Sequence, residues 1–416
     1  MPTIVSKSVG TKSQYSTGTI AIDATGLIVT LSGGTFDTDW GEGDFFRIDT
    51  GGTPETRYVL TRDSATQLTL QTASSKTSQS GLAYYIQRCY TDIDAWDSGE
   101  DRNIVSADEI ARAVCRYDGQ TDSGNISFNY TFSNWTCDST RYIDIWVHPD
   151  SRKTKRSDSG YTLSTTADNC MVIKEVAIVV TGIDFVNVFS SYKNYCVYAT
   201  DVSIRLEFLE CFFKATGHAD ATGVRLTTTS VTPVLVANCD AFGCNVAMQF
   251  GNTATEQARF EIYNSVTNGN GTGVYFEPDA GGGGTMDMYN HYSGDNSSDD
   301  YNDGSSGLAT LVKCASSDAT GSSGLQNMAY SAATGAKFVN VTGGSEDHHI
   351  QSGSDLEAAG NNYDTVFTID IDQETRPSSP TAWDIGIDQI SGAPAGVDVH
   401  MVGGTQELTG GFTQGY

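Results

Sequence analysis

A pair of residues recurs through the middle of the chain every 26 to 28 residues, usually after a short run of apolar or β-favouring residues. The pairs are Gly182-Ile183, Glu210-Cys211, Asn238-Cys239, Asn264-Ser265 and Asn290-His291. A polar connector and a second short apolar run, as in 223–226 or 273–276, follow several of them. A period of this length is typical of stacked supersecondary units. Because the units contain strands and turns without helix, the repeat predicts a parallel β-solenoid, whose coils bury one face of each strand.

The first 88 residues show a different pattern, in which strand-length runs alternate with Gly, Asp, Thr and Ser at intervals near ten residues. This spacing is typical of a small β-sandwich or barrel. The chain is therefore predicted to contain an N-terminal β-module (1–88), a lead-in with a capping helix (89–124), the solenoid with its C-terminal seal (125–391) and a C-terminal tail (392–416). We expect the tail to serve as a contact arm.

The clearest helix signal lies at Ser106-Ala107-Asp108-Glu109, which reads as a capping box. The apolar residues from Ile110 to Cys115 then predict one helical face that ends near Tyr117. Stacked repeats need a terminal cap, so we expect this amphipathic helix to cover the open end of the first coil.

The formal net charge of −27 limits the possible partners. So acidic a surface repels phosphates, which argues against nucleic acids and anionic membranes as partners. The chain has no run of 18 apolar residues, so no membrane insertion is expected. Its first residues lack the pattern of a secretory signal, which predicts synthesis in a cytoplasm.

The nine cysteines follow the repeat rather than a disulfide pattern. Cys170 and Cys196 are 26 residues apart, and Cys211 and Cys239 are 28 apart, which matches the coil period. Small thiols at equivalent positions can fill the narrow interior of a solenoid, so we expect buried structural cysteines. Cys239 and Cys244 have no further pair to complete a zinc site.

An ordered set of short motifs occupies residues 338 to 386. The motifs are Asp347-His348-His349-Ile350, Ser352-Gly353-Ser354, Ala359-Gly360-Asn361, Asp370-Ile371-Asp372 with Arg376-Pro377, and Asp384-Ile385-Gly386. Their order and spacing resemble the last coil and C-terminal seal of right-handed parallel β-helix repeat proteins. Asp355, Gln373 and Ile387 depart from the family pattern. The N-terminal module and the lead-in 90–97 are similar to those of phage members.

The resemblance implies an all-β fold: a right-handed parallel β-helix (solenoid) with a small N-terminal β-sandwich or barrel module and a short capping helix. The family includes polysaccharide lyases and hydrolases as well as phage tailspikes, adhesins and virion surface proteins, so the resemblance alone leaves the function open. Because no convincing catalytic set is present and the N-terminal module resembles phage ones, we expect a surface-exposed, non-enzymatic structural protein of a bacteriophage virion, such as a capsid decoration, head fibre or tail spike component. The alternative is a tailspike that binds or depolymerises host surface polysaccharide. The expected partners are other virion proteins, further copies of the chain (a trimer among the options) and host glycans. The expected location is the virion surface, after synthesis in the host cytoplasm.

A glycosidase on this fold needs two carboxylates about 5 to 9.5 Å apart. The candidate carboxylates are Asp144, Glu207 with Glu210, and Asp370 with Asp372. Glu207 and Glu210 would face opposite sides of a strand, and Asp370 and Asp372 belong to the seal. The remaining groups considered are Arg205 and Arg225, which are not obviously in register for a lyase, and His348-His349, which we expect in a closing turn. No catalytic residue is therefore predicted.

Three other features could carry binding. Asp295, Asp299 and Asp303 lie in an oxygen-rich loop that suits calcium, although their spacing fits no regular calcium loop; no other cofactor is expected. The basic run 151–156 is expected to be a solvated loop, the alternative being a dock for an acidic partner or glycan. The aromatic residues that could stack on sugars, unless the coils bury them, are Trp135, Trp146 and Tyr275.

Overall fold

The computed structural model describes most of the 416 residues. The exceptions are 50–51, 124–125, 130–134, 167–168, 189–194, 203, 229–232, 253–258, 279–283, 305–308, 379–380, 391–398, 403–404 and 409–416. Of the predicted tail 392–416, only the strands Val399–Val402 and Thr405–Leu408 are described, so its role as a contact arm stays a prediction. In the described part of the chain, no helix is long and apolar enough to span a bilayer.

Three parallel sheets wind into a solenoid, which confirms the predicted fold class. The strands of the first sheet are Thr3–Val9, Glu109–Cys115, Ile143–Val147, Ile178–Thr181, Leu206–Leu209, Val234–Ala237, Arg259–Tyr263, Thr285–Tyr289 and Ala309–Val312. Those of the second are Ile126–Asn129, Met171–Lys174, Tyr195–Val202, Thr222–Thr228, Val246–Asn252, Thr272–Pro278 and Tyr301–Asn302. Those of the third are Asp122–Ser123, Thr162–Thr165, Asp184–Val188, Phe212–Thr216, Asp240–Phe242, Val266–Asn268, Tyr292–Gly294 and Ala315–Ser316.

A closed six-stranded barrel precedes the coils, as predicted for the N-terminal module. Its strands are Thr19–Ile22, Ile28–Ser32, Phe45–Asp49, Glu55–Ser64, Gln67–Leu70 and Gln79–Gln87. The strand Thr3–Val9 lies outside the barrel and pairs in parallel with Glu109–Cys115. The segment 1–88 therefore contains one strand of the solenoid as well as the barrel.

The predicted helix after residue 106 is wrong, because Glu109–Cys115 is a strand. Its backbone bonds to two parallel neighbours, Thr3–Val9 and Ile143–Val147, and these ladders outweigh one local capping signal. The short helix Ile104–Ala107 ends where Asp108 adopts a left-handed conformation with φ 57°.

A different helix, Ile93–Glu100, packs against the first coil. Asp92 begins it by accepting a hydrogen bond from the Ala95 amide at 2.7 Å. Trp96 is buried in the solenoid core and stacks on Trp135, with ring centroids 5.5 Å apart. The terminal cap that the repeat requires thus exists, but it begins 13 residues before the predicted capping box.

The recurring pair marks a corner between the first and third sheets. The first residue of each pair has a positive φ: 78° at Gly182, 55° at Glu210, 52° at Asn238, 42° at Asn264 and 50° at Asn290. This left-handed conformation costs most residues roughly 1–2 kcal/mol, whereas Gly and Asn adopt it more readily. The sequence repeat is therefore the signature of one backbone turn.

The second residue of each pair points into the solenoid, where Cys211, Cys239 and His291 are fully buried. All nine cysteines are free, and seven of them are buried, which confirms the expected structural thiols. Burial raises the pKa of the Cys239 thiol well above its ordinary value and lowers the pKa of His291 to about 3. These interior groups are therefore uncharged at neutral pH.

The flank segment (residues 321–390) runs back along the outside of the corner, in addition to covering the last strands. The corner amides donate to its backbone: Asn238 to the Ile369 carbonyl at 2.8 Å, Asn264 to that of Asp384 at 3.2 Å, and Asn290 to that of Asn361 at 2.7 Å. The segment predicted as a C-terminal seal is thus a lateral cover along several coils.

Apolar contacts fix the flank segment to both neighbouring sheets. Phe338, Ile350 and Ile385 form a buried cluster with residues on the outer face of the third sheet, among them Phe212, Val266 and Tyr292. Phe367 and Trp383 form a second cluster with residues of the first sheet. Three further short elements are the hairpin strands Phe338–Asn340 and Asp347–Ile350 of the flank and the 3₁₀ helix Pro149–Ser151.

Two substitutions at one corner separate the backbone turn from the side-chain contact. Asn264→Gly keeps the left-handed turn but loses the amide bonds to Asp384 and Gly386, and we expect a loss of roughly 1–3 kcal/mol in unfolding free energy. Asn264→Ala adds the cost of a left-handed alanine, about 1 kcal/mol more. Urea denaturation measures both. Lys313→Gly, at an exposed left-handed position with φ 59°, is the control and should not lower the unfolding free energy. If Asn264→Gly were as stable as wild type, the proposed contact between the corner and the flank segment would be contradicted.

Candidate functional site

A cleft of about 390 Å³ lies between the barrel and the first coils. The barrel side contributes Trp40, Glu42 and Arg62, and the coil side contributes Arg116, Trp146 and His148. The other lining residues are Thr38, Gly41, Leu60, Thr61, Pro149 and Asp150. The size is within the range of pockets that bind small ligands.

Arg116 is the unusual residue of the cleft. It is only 4 % exposed, its buried Nε has no hydrogen-bond partner, and no carboxylate lies within 4.0 Å of its guanidinium among the described residues, although Asp44, Glu42 and Asp118 act on its charge from farther away. Gly41 leaves room for it, because a Cβ there would lie 3.0 Å from Nη2 of Arg116. Burial lowers the pKa of this guanidinium. A buried charge without a partner is costly, so this arrangement is typical of a group that meets a ligand.

The neighbouring arginines are neutralised within the protein. Arg88 binds Asp44 at 2.9 Å and Asp118 at 2.7 Å, and Arg112 binds Asp144 at 2.7 Å. Arg62, in contrast, donates only to the Phe36 carbonyl, at 3.0 and 3.1 Å, in the part of the chain that the structure describes. Two carboxylates also line the cleft: Glu42, which lies 3.2 Å from Arg112 and accepts from Ser6, and Asp150, which is 76 % exposed. Arg62 and Arg116 are thus lining cations without a carboxylate within 4.0 Å among the described residues.

Aromatic and imidazole groups complete the cleft. The guanidiniums of Arg112 and Arg152 both approach the Trp146 ring, at 5.1 and 5.4 Å from its centroid. His148 makes an edge contact with Trp146. Burial lowers the pKa of His148 to about 3, and the charges of Arg116 and Arg152 lower it further in the same direction. The imidazole is therefore neutral at physiological pH, and its lowered pKa is consistent with the positive charges around it.

The predicted solvated loop at 151–156 is wrong, and its cations do not form a docking surface either. Arg152 binds Glu210 at 2.5 Å, and Lys153 binds Asp184 at 2.7 Å. Lys155 lies 3.7 Å from Asp347. The run crosses the coils and pairs with acids that are distant in sequence, so its charge is used within the fold.

Arg156 forms the most buried of these pairs. Its guanidinium binds both carboxylate oxygens of Asp240, at 2.6 and 2.9 Å, and lies 2.9 Å from Glu346 of the flank segment. His348 Nδ1 lies 2.9 Å from the same Asp240, and its Nε2 lies 2.9 Å from the Tyr330 hydroxyl. Burial would raise the pKa of Asp240, but Arg156 and His348 together lower it to about 2. This network ties the flank segment to the coils.

The structure does not assemble a catalytic pair from the carboxylates weighed above. Asp144 is fully buried against Arg112, and Glu207 binds Arg205 at 2.7 Å. Burial raises the pKa of Asp370 to about 7, yet its carboxylate is fully buried and one oxygen accepts the Asp372 and Glu374 amides. The second lyase candidate, Arg225, bonds to the Tyr195 hydroxyl at 2.7 Å.

The three aromatic candidates have different environments. Trp135 is fully buried in the core, and Trp146 is almost buried, with one edge at the cleft. Tyr275 is half-buried on a strand of the second sheet, beside Gln249 and Asn302 in the parallel ladder. Burial in the coils therefore explains Trp135, and only Trp146 joins other binding groups.

The calcium candidates do not converge among the described residues. Asp295, Asp299 and Asp303 form no group of three ligand atoms within 4.8 Å. The loop instead buries Asp300, whose Oδ2 accepts the Ser317 and Asp318 amides at 2.7 and 3.0 Å. Calcium at this loop stays a prediction.

One other group in the described residues could hold a metal: His349, Asp372 and Asp388, with ligand atoms within 4.8 Å of one another. His349 Nδ1 is also hydrogen-bonded to Asp347. Burial lowers the pKa of His349, but Asp372 and the other carboxylates outweigh burial and raise it to about 10. At neutral pH the imidazolium joins the hairpin 338–350 to the turns at 372 and 388. The closing turn expected for His348-His349 is wrong in this detail, because both residues lie in the hairpin strand Asp347–Ile350.

The sequence alone did not reveal the cleft. Arg62, Arg116 and Trp40 come from separate segments with no shared motif, and of the lining residues only Trp146 is a candidate from the sequence. The missed signal is physical: a buried arginine without a partner appears only when the surrounding contacts are known.

No protein-family model matches the chain, and no curated protein matches it either. Solved structures gave distant matches to phage tailspikes. The tailspike of Pseudomonas phage LKA1 is 11 % identical, with a TM-score of 0.22, over 75 % of this chain and 49 % of that one. This chain thus spans about half of that tailspike's length. The tailspike of Acinetobacter baumannii bacteriophage AP22, in complex with A. baumannii capsular saccharide, is 9 % identical, with a TM-score of 0.19, over 74 % and 68 % of the two chains.

A third match is the tailspike of Pseudomonas phage phi297, at 9 % identity and a TM-score of 0.17, over 76 % of this chain and 60 % of that one. Matches this distant carry no argument about function. The assignment of a parallel β-solenoid rests on the strand pairing described above.

Asp240→Asn should destabilise the protein strongly, because it removes the charge that neutralises the buried Arg156. We expect a loss of roughly 3 kcal/mol or more in unfolding free energy at pH 7, measured by urea denaturation. The pKa of Asp240 in the folded protein, about 2, lies below the ordinary value of 3.8 for an aspartate. The advantage of wild type is therefore complete above pH 3.8 and shrinks as the pH falls toward 2. Asp150→Asn, at a carboxylate that is 76 % exposed, is the control; equal stability of both variants would contradict the network.

Proposed function

We propose that this protein is a surface-exposed structural protein of a bacteriophage virion, of the tail spike, head fibre or capsid decoration type, and that it is not an enzyme. The observation that carries the non-enzymatic part is the fate of the candidate acids: Asp144, Glu207 and Glu210 are all held by arginines. A carboxylate held this way is a poor proton donor or nucleophile.

The virion role is supported by the sequence resemblance to phage members of the β-helix family and by the clamped architecture. The flank segment covers two sheets along the corner, and ion pairs such as Arg156–Asp240 fix it there. A rod with this lateral clamp resists local unfolding, because its outer strands are packed on both faces. The acidic surface favours solubility of such a rod.

The second candidate function, binding of host glycans, is favoured by the cleft. Trp146, Arg116 and Arg62 place an aromatic side chain and two cations around a space of about 390 Å³, and neither cation has a carboxylate within 4.0 Å among the described residues. A binding role does not require the acid pair that the coils lack, so it is compatible with a structural, non-enzymatic protein.

Immunogold labelling of intact phage particles from the source lysate tests the virion role. Antibody raised against this chain should label particles, over the head for a decoration or head fibre and at the tail for a spike. Preimmune serum is the control. Absence of label on particles that contain the chain by immunoblot, or absence of the chain from purified particles, would overturn the proposal.

A cleavage assay tests the non-enzymatic part separately. Purified protein incubated with host surface polysaccharide should leave its size distribution unchanged, as measured by size-exclusion chromatography. If the polysaccharide is shortened, Glu207→Gln and Asp372→Asn identify the responsible acids, and the structural proposal gives way to a depolymerase.

A further inference from the structure

We propose that the cleft between the barrel and the first coils binds an acidic sugar residue, whose carboxylate or sulfate group pairs with Arg116 and Arg62. This inference rests on the proposed function, because a virion surface meets host glycans. It adds the position of the binding site and the chemical class of the ligand.

The charge arrangement points to an anionic group. Arg88 and Arg112 lie close by but are neutralised by Asp44, Asp118 and Asp144. Arg116 has no such partner in the described structure, although it is only 4 % exposed. A guanidinium presents a planar fork of donors that matches a carboxylate or sulfate. An anion here would supply the missing acceptors.

The backbone around Arg116 holds its guanidinium at the wall of the cleft, where it can contact a bound anion. Its strand, Glu109–Cys115, ends beside the cleft, and the Arg116 amide bonds to the Val9 carbonyl at 2.9 Å, which fixes the backbone. Arg62 approaches from the barrel strand Glu55–Ser64 on the other wall. One small anionic group can therefore contact elements of both units.

The remaining walls suit a sugar better than a bare ion. Trp146 and the exposed side chain of Leu60 offer apolar surface, and Thr38, Thr61 and neutral His148 offer hydrogen-bonding groups. Sugar rings present an apolar face and a rim of hydroxyls, which this combination matches. The volume of about 390 Å³ also exceeds what an inorganic anion alone needs.

The acidic surface sharpens the selectivity of the cleft. A net charge of −27 repels acidic polymers over most of the molecule, so binding requires a local positive site. The low pKa of His148, caused first by burial and then by Arg116 and Arg152, agrees with positive surroundings at this place.

Isothermal titration calorimetry with purified full-length protein tests the inference. The probes are a galacturonate trisaccharide, the corresponding neutral galactose trisaccharide, and acetate and sulfate alone. We expect binding of the acidic trisaccharide that weakens with added salt, and at least tenfold weaker binding of the neutral one. Equal binding of both trisaccharides, or no binding of either, would overturn the inference. Acetate or sulfate binding as tightly as the acidic trisaccharide would overturn its saccharide part.

Variants locate the site. Arg116→Gln and Arg62→Gln should each weaken binding of the galacturonate trisaccharide at least tenfold. Arg225→Gln, which changes an arginine on the second sheet, is the matched control and should bind as wild type. Arg62 is only half-buried, so its variant is informative even if Arg116→Gln folds poorly; undiminished binding by Arg62→Gln would contradict the assignment.

The calorimetric result is independent of particle labelling. Binding without label on particles would leave the cleft assigned and the virion role refuted. Label without binding would leave the virion role in place and refute the cleft.

Discussion

The fold depends on one backbone constraint, the left-handed corner between the first and third sheets. The chain turns there from the first sheet to the third, and Gly182, Glu210, Asn238, Asn264 and Asn290 occupy that place in successive coils. Asparagine has two roles at this position. It accepts the left-handed backbone at low cost, and its amide reaches outward to the backbone of the flank segment. The turn that builds the solenoid is thus also the attachment line of its cover.

The flank segment in turn explains the unusual distribution of charge. Outer faces of a solenoid are normally solvated, yet here Asp240 is buried beneath the flank together with Arg156. Such a pair costs desolvation energy, and it persists because each partner satisfies the other. The basic run 151–156 therefore works as an internal brace. It pairs the largely buried cations Arg152, Lys153 and Arg156 with acids of the coils, so these charges are used within the fold.

The same reasoning isolates the cleft. Most arginines near it are paired, so an unpaired and buried Arg116 is an exception that local packing does not explain. The cleft also lies where two structural units meet, a frequent place for binding sites. The flank segment braces the corner between the first and third sheets, whereas the proposed binding cleft is formed by the barrel and the first coils.

The solenoid could be predicted from the sequence because the left-handed corner restricts which residues can occupy it. Gly, Glu and Asn therefore recur there once in each coil, which makes the period visible. The sequence also predicted the buried cysteines, since interior positions repeat with the coils. It failed at Glu109–Cys115, where a local capping signal competed with two parallel ladders that are distant in sequence. It failed again at Arg152 and Arg156, because their partners Glu210 and Asp240 belong to later coils. The cleft required contacts between segments that no motif links.

Hydrogen–deuterium exchange of the flank segment tests the central claim, that this segment is an integral part of the solenoid. Its amides bond to the coils and to each other, as in Gly386 to the Asn290 carbonyl at 2.9 Å and Ile371 to the Ile387 carbonyl at 3.0 Å. If the corner line holds it, peptides covering 360–390 should exchange as slowly as peptides from the strands 234–237 and 260–263, because both open only with the coils. Exchange in the flank that is orders of magnitude faster than in those strands would contradict the account.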